Sequence, residues 1–323
     1  MPFDLYNLVR TAFFMRMNKY VFSTIGAGIL WGIISIFIKG MSAAGFSSIQ
    51  VMFLRGIISA IMMFLFLLFT DKEALKIKIR DVWMFIGTGV ISLTFFSLCY
   101  FTSILQLGTS VAVILLYTSP VFILILSRFL FKEKITILKL CALILTFTGC
   151  IFVSGIGSTS GINLKGFLIG LCAGFGYGLY SIFSRYALKK YSSLTVTFYT
   201  FVFSSISIFP FCHFSTMLNL FSPKAALLAA GLSLFCTTLP YILYTFGLKG
   251  LETGKAAIFV TIEPLVGTLI GFFLWHEEVS FIKITGIILI FISIILCSKS
   301  EKNNYVNIIC CNFFGSTKQC IGK

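Results

Sequence analysis

The sequence predicts an all-α integral membrane protein whose ten transmembrane helices form two inverted five-helix repeats. Three observations carry that expectation: too few charges for the apolar content, apolar runs of spanning length, and a chain that repeats itself. Hydrophobic residues make up 58% of the chain and charged residues 11%, with a mean hydropathy of +1.03. A soluble domain carries roughly 45–50% and about 25%. So few charges cannot shield so much apolar surface from water, so lipid must cover it. The net charge of +15 would point to nucleic acid in a soluble chain. Here the bases sit in short segments between apolar runs, and no nucleic-acid partner is expected.

A spanning helix needs about 20 mostly apolar residues. Candidate spans lie at 21–38, 48–69, 83–104, 110–131 and 135–154, then at 166–184, 194–214, 225–246, 256–275 and 279–298. They divide the chain into an N-terminal segment 1–19, a first repeat 20–155, a second repeat 166–298 and a tail 299–323. The connections are too short to hold a soluble domain. The first run follows Arg10, Arg16 and Lys19 as a signal peptide would, but it is longer than a signal core and recurs later, so it reads as a retained span. Met17 is an alternative start.

Orientation follows from Lys and Arg in the loops. With a cytoplasmic N-terminus, one side collects Lys72, Lys76, Lys78, Arg80, Arg128, Lys132, Lys134, Lys139, Arg185, Lys189, Lys190, Lys249 and Lys255. The other side receives Lys39, Lys165, Lys224 and Lys283. Both termini are therefore expected in the cytoplasm, the loop 155–163 outside, and the protein in the plasma membrane as a multi-pass chain. Seven of the ten cysteines lie inside apolar runs, and no C-x-x-C pair occurs. Neither a metal site nor any other cofactor is expected.

The internal repeat is the most informative feature. Residues 27–39 align with 173–185, where Ala, Gly, Gly, Ser, Ile and Phe are identical and Trp31 faces Tyr177. A second block pairs Tyr100 with Tyr244, Thr109 with Thr253, Pro120 with Pro264 and Glu133 with Glu277. An odd number of spans per copy makes the second copy enter from the opposite side. Inverted repeats of this kind characterise secondary transporters, with the binding site near the midplane between the halves.

A repeat with a Gly/aromatic first helix and a fourth helix ending in this Pro-to-Glu pattern resembles the EamA type of the drug/metabolite transporter superfamily. Leu116-Tyr117-Thr118-Ser119-Pro120 through Phe131-Lys132-Glu133 carries the first copy, and Ile262-Glu263-Pro264 through Trp275-His276-Glu277 the second. The resemblance covers about 21–298. It implies the ten-helix architecture, peripheral fifth and tenth helices and a transport activity. It leaves the substrate open among amino acids, metabolites, nucleotide sugars and drugs.

Ionisable groups inside spans are costly and mark pathways. Arg55 in the second span and Glu263 in the ninth stand out, and the repeat aligns them with the uncharged Thr200 and Ser119. They are either working groups of a transport cycle or a static ion pair. Pro120 and Pro264 break their helices locally and either free carbonyls for a cavity or serve packing. Trp31, Tyr100, Tyr117, Tyr177, Tyr180 and Tyr244 are polar-tipped aromatics suited to a solute cavity, or to a core. Gly28-x-x-x-Gly32 and Gly170-x-x-x-Gly174-x-x-x-Gly178 permit close helix approach.

The expected function is secondary transport of a small organic solute by alternating access, in the direction of export, with a proton as candidate coupling ion. Exchange or uptake of an anionic metabolite through Arg55 is the alternative, and a non-transporting scaffold a weaker one. An enzyme is not expected, because His213 and His276 form no H-E-x-x-H or similar set. Monomer and homodimer both remain open.

Overall fold

The computed structural model describes residues 19–154, 164–276 and 280–314. The N-terminal segment 1–18, the loop 155–163, residues 277–279 with the repeat's Glu277, and the tail from residue 315 onward lie outside the described residues. Nine helices among the described residues are long and apolar enough to span a bilayer. They are α1 Lys19–Ala43, α2 Ser48–Thr70, α3 Ile79–Leu107, α4 Val111–Phe131, α5 Ile137–Ser154, α6 Leu164–Ala187, α7 Ser193–Phe211, α8 Pro223–Gly250 and α9 Thr253–Leu274. The tenth, α10, has a shorter apolar segment Phe281–Cys297 within a helix that continues to Phe314. No strand occurs among the described residues. This is the only architecture besides a closed barrel that satisfies every backbone polar group in lipid.

Local chemistry places several helix starts. Ser47 and Gln50 form a reciprocal capping box at α2, with Gln50 Oε1 accepting from Ser47 N at 2.9 Å. Ser192 caps α7, and Ser222 caps α8 just before Pro223. Such caps satisfy backbone donors that the first helical turn leaves without partners. Large side chains such as Phe22, Phe66, Leu227 and Phe273 point away from the bundle, as lipid-facing residues must.

Both prolines interrupt their helices, at matching places. In α4 the helix ends at Leu116, and Ser119–Phe131 begins with Pro120 in its first turn. In α9 a 3-10 turn Val260–Ile262 precedes Glu263–Trp275, again with Pro264 in the first turn. Proline tolerates that position because its missing N–H has no helical partner there anyway.

The glycine stripes pack against those interruptions across the two halves. A Cβ on Gly32 of α1 would lie 2.8 Å from the Glu263 carbonyl oxygen and 2.5 Å from Val266 Cβ. On α6, a Cβ on Gly174 would meet the Leu115 carbonyl oxygen at 2.6 Å. The first helix of each repeat therefore seats on the broken fourth helix of the other.

One regularity was invisible in the sequence. Residues Gly87–Thr94 of α3 and Leu234–Thr238 of α8 are wound as π-helix, and they correspond under the spacing that pairs Pro120 with Pro264. Such bulges recur at functional sites. The fifth and tenth helices pack on each other, with Thr146 donating to Ser293 at 2.8 Å and Cys150, Val153 and Ile290 in a small shared core.

Candidate functional site

A cavity of about 260 Å³ lies between the halves, bounded by α1, α2, α3, α4, α6, α8 and α9. That is below the roughly 300–1,000 Å³ typical of sites for drug-sized ligands, so the space suits a small solute. Its wall is mostly apolar and aromatic, with Trp31, Met52, Phe96, Tyr100, Tyr177 and Tyr241 among the lining residues. Arg55 and Glu263 are its only ionisable side chains besides tyrosines. The cavity extends from Glu263 to Ser42, Phe46 and Ser48, at the junction of α1 and α2. That junction is the end of the bundle opposite the basic loops.

The sequence candidates divide into three groups. Trp31, Arg55, Tyr100, Tyr177 and Glu263 meet in the main cavity. Tyr180 and Tyr244 lie behind it with Trp31 and Tyr241, around a gap of about 10 Å³. Their hydroxyls are already engaged, Tyr180 with Thr245 at 2.7 Å and Tyr244 with Ser181 at 2.8 Å. Tyr117 and Pro120 border a second small gap with Tyr177, Tyr244 and Glu263. Glu263 and Tyr177 thus connect the cavity to the interrupted helices α4 and α9.

Aromatic contacts fix the floor. Tyr241 stands between Trp31, at 5.1 Å edge-on, and Tyr180, at 5.0 Å edge-on. Phe96 packs edge-on against Tyr177 at 5.2 Å. Such pairs contribute beyond simple area burial and hold the rings of the floor against one another. Tyr241 went unnoticed in the sequence although it lies one helical turn before Tyr244, on the same face.

The two charges share the cavity without meeting. Arg55 Nε is buried without a hydrogen-bond partner, and no ion pair among the described residues joins it to Glu263. The static ion pair is therefore absent in this state. The repeat positions opposite them are filled quietly: Thr200 donates to the Val196 carbonyl oxygen with Thr88 Oγ1 also within 2.8 Å of its hydroxyl, and Ser119 is buried.

The sequence pattern of the EamA-like transporter family matches the chain twice, at residues 18–155 and 164–299. The chain belongs to this family. Relatives within reach of its sequence carry the same broad description. An uncharacterized transporter of Archaeoglobus fulgidus is 28% identical over 80% of this chain and 89% of its own length. The uncharacterized transporter YoaV of Bacillus subtilis is 23% identical over 85% of this chain and 94% of its own. A crystal structure superposes with a TM-score of 0.73 over 86% of this chain and 96% of that one. Its 17% identity speaks to the fold alone. Family membership makes the protein a membrane transporter; the solute is a matter for the cavity.

Proposed function

We propose that this protein is a secondary carrier of a small dipolar solute, moved by alternating access between its two repeats. The observation that carries the reading is the pair of opposite, unpaired charges in one small aromatic cavity. Each charge has lost much of its hydration, and a buried charge left without a partner costs several kcal/mol. A solute with one anionic group would satisfy Arg55 and leave Glu263 alone, and a simple amine would do the reverse. A molecule carrying both, as an amino acid does, complements both at once. The aromatic wall would then take its apolar portion.

The remaining parts of the reading follow from the loop charges and the carboxylate. The Lys/Arg-rich end faces the cytoplasm with both termini, the membrane is the plasma membrane, and export is the proposed direction. Glu263 also gives the cycle a place for a coupling proton, because protonation discharges the carboxylate and releases a bound cation. Arg55 with its unpartnered Nε supports a second reading, an uptake carrier or exchanger for an anionic metabolite.

Counterflow in proteoliposomes tests these readings with matched solutes: leucine, isoamylamine, which lacks its carboxylate, and 4-methylpentanoate, which lacks its amine. Carriage of leucine alone, lost in both Arg55→Gln and Glu263→Gln, is the expected result. Carriage of 4-methylpentanoate that survives Glu263→Gln would replace the dipolar reading with the anionic one. A pH-gradient dependence that survives Glu263→Gln would reject the proton role.

A further inference from the structure

The basic end of the bundle is held shut by buried charge that no transport step so far uses. Helix α4 ends in Lys132, which adopts φ of 57°, and the left-handed turn brings Glu133 back under the bundle. Its Oε1 accepts from Thr253 N at 2.8 Å and from Thr253 Oγ1 at 2.9 Å, and its Oε2 accepts from Gly254 N at 3.3 Å. Beside it, Lys139 of α5 contacts Glu252 at 2.6 Å, and Lys255 contacts the same oxygen at 3.2 Å. Lys139 and Lys255 are fully buried and Glu133 nearly so. The Glu133 side-chain contacts and the Lys139–Glu252 contact join the first repeat to the start of α9 in the second.

The tethered segment is short and wholly enclosed. Residues Thr253–Phe259 are all buried, and the turn that follows them ends at Glu263. The half-helix 253–259 therefore carries the Glu133 contact at its start, and a single 3-10 turn links its end to the cavity carboxylate at the head of the next half-helix. A displacement of Glu263 has a short path to the Glu133 contact, through that turn and the enclosed half-helix.

We infer that Glu133 is the positioning residue that keeps the pathway closed at the basic end, and that its release from Thr253 and Gly254 opens that end during transport. The inference rests on the carrier reading and adds to it the residue that selects the open side. Release exposes a carboxylate and two backbone donors to entering water, which rehydrates them, so the contact is reversible where an apolar seal would have to slide.

The test uses full-length protein in vesicles of both orientations, without native cysteines, and a membrane-impermeant maleimide. One probe is Ala257→Cys, buried on the tethered half-helix; the other is Ser42→Cys, at the far mouth of the cavity. Glu133→Ala should raise labelling of the first from the basic side about tenfold, the change produced by roughly 1.4 kcal/mol, and lower labelling of the second. A merely structural Glu133 would raise both or neither, and either outcome overturns the inference. Glu133→Gln keeps one acceptor and should shift both probes less, in the same directions; failure of both variants to fold also assigns Glu133 a structural role and overturns it. Solute counterflow by the otherwise native protein keeps the carrier reading separate, because it can succeed while the reciprocal labelling fails.

Discussion

The two ends of the bundle are held by different chemistry. At the basic end, Glu133 caps α9, Glu252 sits between Lys139 and Lys255, and Arg185 donates to the Leu248 and Leu251 carbonyl oxygens. Asp81 adds contacts to Lys190 at 2.5 Å and Tyr191 at 2.8 Å. At the opposite end the cavity reaches the α1–α2 junction, where apolar and neutral contacts occur. Phe46 meets Phe221 and Phe53 meets Phe214, both edge-on, while Gln50 donates to Thr216 at 3.1 Å. Charged hydrogen bonds in a low-dielectric setting are strong and directional, whereas apolar side chains slide past each other at little cost. The difference locates the tighter closure at the basic end.

The largest expected effect breaks that asymmetry. Glu133→Ala strands the Thr253 and Gly254 donors, at roughly 1–3 kcal/mol for each orphaned group. Gln50→Leu at the other end removes one neutral bond to Thr216 together with a helix cap, worth about 1 kcal/mol. Thermal unfolding in detergent should therefore rank Glu133→Ala well below Gln50→Leu. Equal losses would show that the two ends are held with equal strength.

The next effect concerns how the first helix reaches the broken ninth. Gly32→Ala places a methyl group against the Glu263 carbonyl oxygen and Val266, and overpacking of this kind costs about 1–3 kcal/mol. Transport should fall further than stability, because the displaced group is the backbone of the cavity carboxylate. Gly26→Ala on the same helix finds its nearest neighbour at 3.6 Å and should be neutral in both counterflow and thermal unfolding.

The sequence made the architecture legible because its signals are properties of composition and spacing. Apolar runs gave the spans, and the pairing of Pro120 with Pro264 and of Gly28 and Gly32 with Gly174 and Gly178 foreshadowed the interruptions and the close crossings. The depth of Arg55 and Glu263 was readable too, but not the rotation of their helices, so an ion pair and two separate charges looked alike. Tyr180 and Tyr244 border the small gap behind the main cavity, a placement that sequence spacing leaves open because it does not give the rotation of α6 or α8. Glu133 was visible only as a repeat motif, since its partners lie 120 and 121 positions away.

Rotation supplies a smaller and cleaner test. Tyr244 spends its hydroxyl on Ser181 behind the cavity floor, whereas Tyr241 lines the cavity itself. Tyr244→Phe should lower thermal stability by about 0.5–1.5 kcal/mol, the net value of one hydrogen bond, with solute affinity nearly unchanged. Tyr241→Phe should do the reverse. Affinity losses in both variants would move Tyr244 into the solute's contact shell.

The smallest expected effect is a pH dependence confined to the basic end. Burial works against the Glu252 carboxylate, but the close ion pairs with Lys139 and Lys255 outweigh it and hold its pKa below the ordinary 4.5. A carboxyl lowered in the folded protein stabilises it wherever the group is ionised in both states. That contribution is thus complete above about pH 5 and lost as pH falls through the folded value. The charged groups facing Glu252 are Lys139 and Lys255, with Glu133 one residue away on Thr253. Lys139 also donates to the Lys134 carbonyl oxygen at 2.7 Å, a bond that does not depend on the charge of Glu252. Opposition from burial and that retained bond keep the effect small. Comparing Glu252→Gln with the native protein by thermal unfolding isolates it. The difference between them should be constant from pH 8 to about pH 5 and should close in acid; a difference that slopes between pH 6 and 8 would assign the closure to another group.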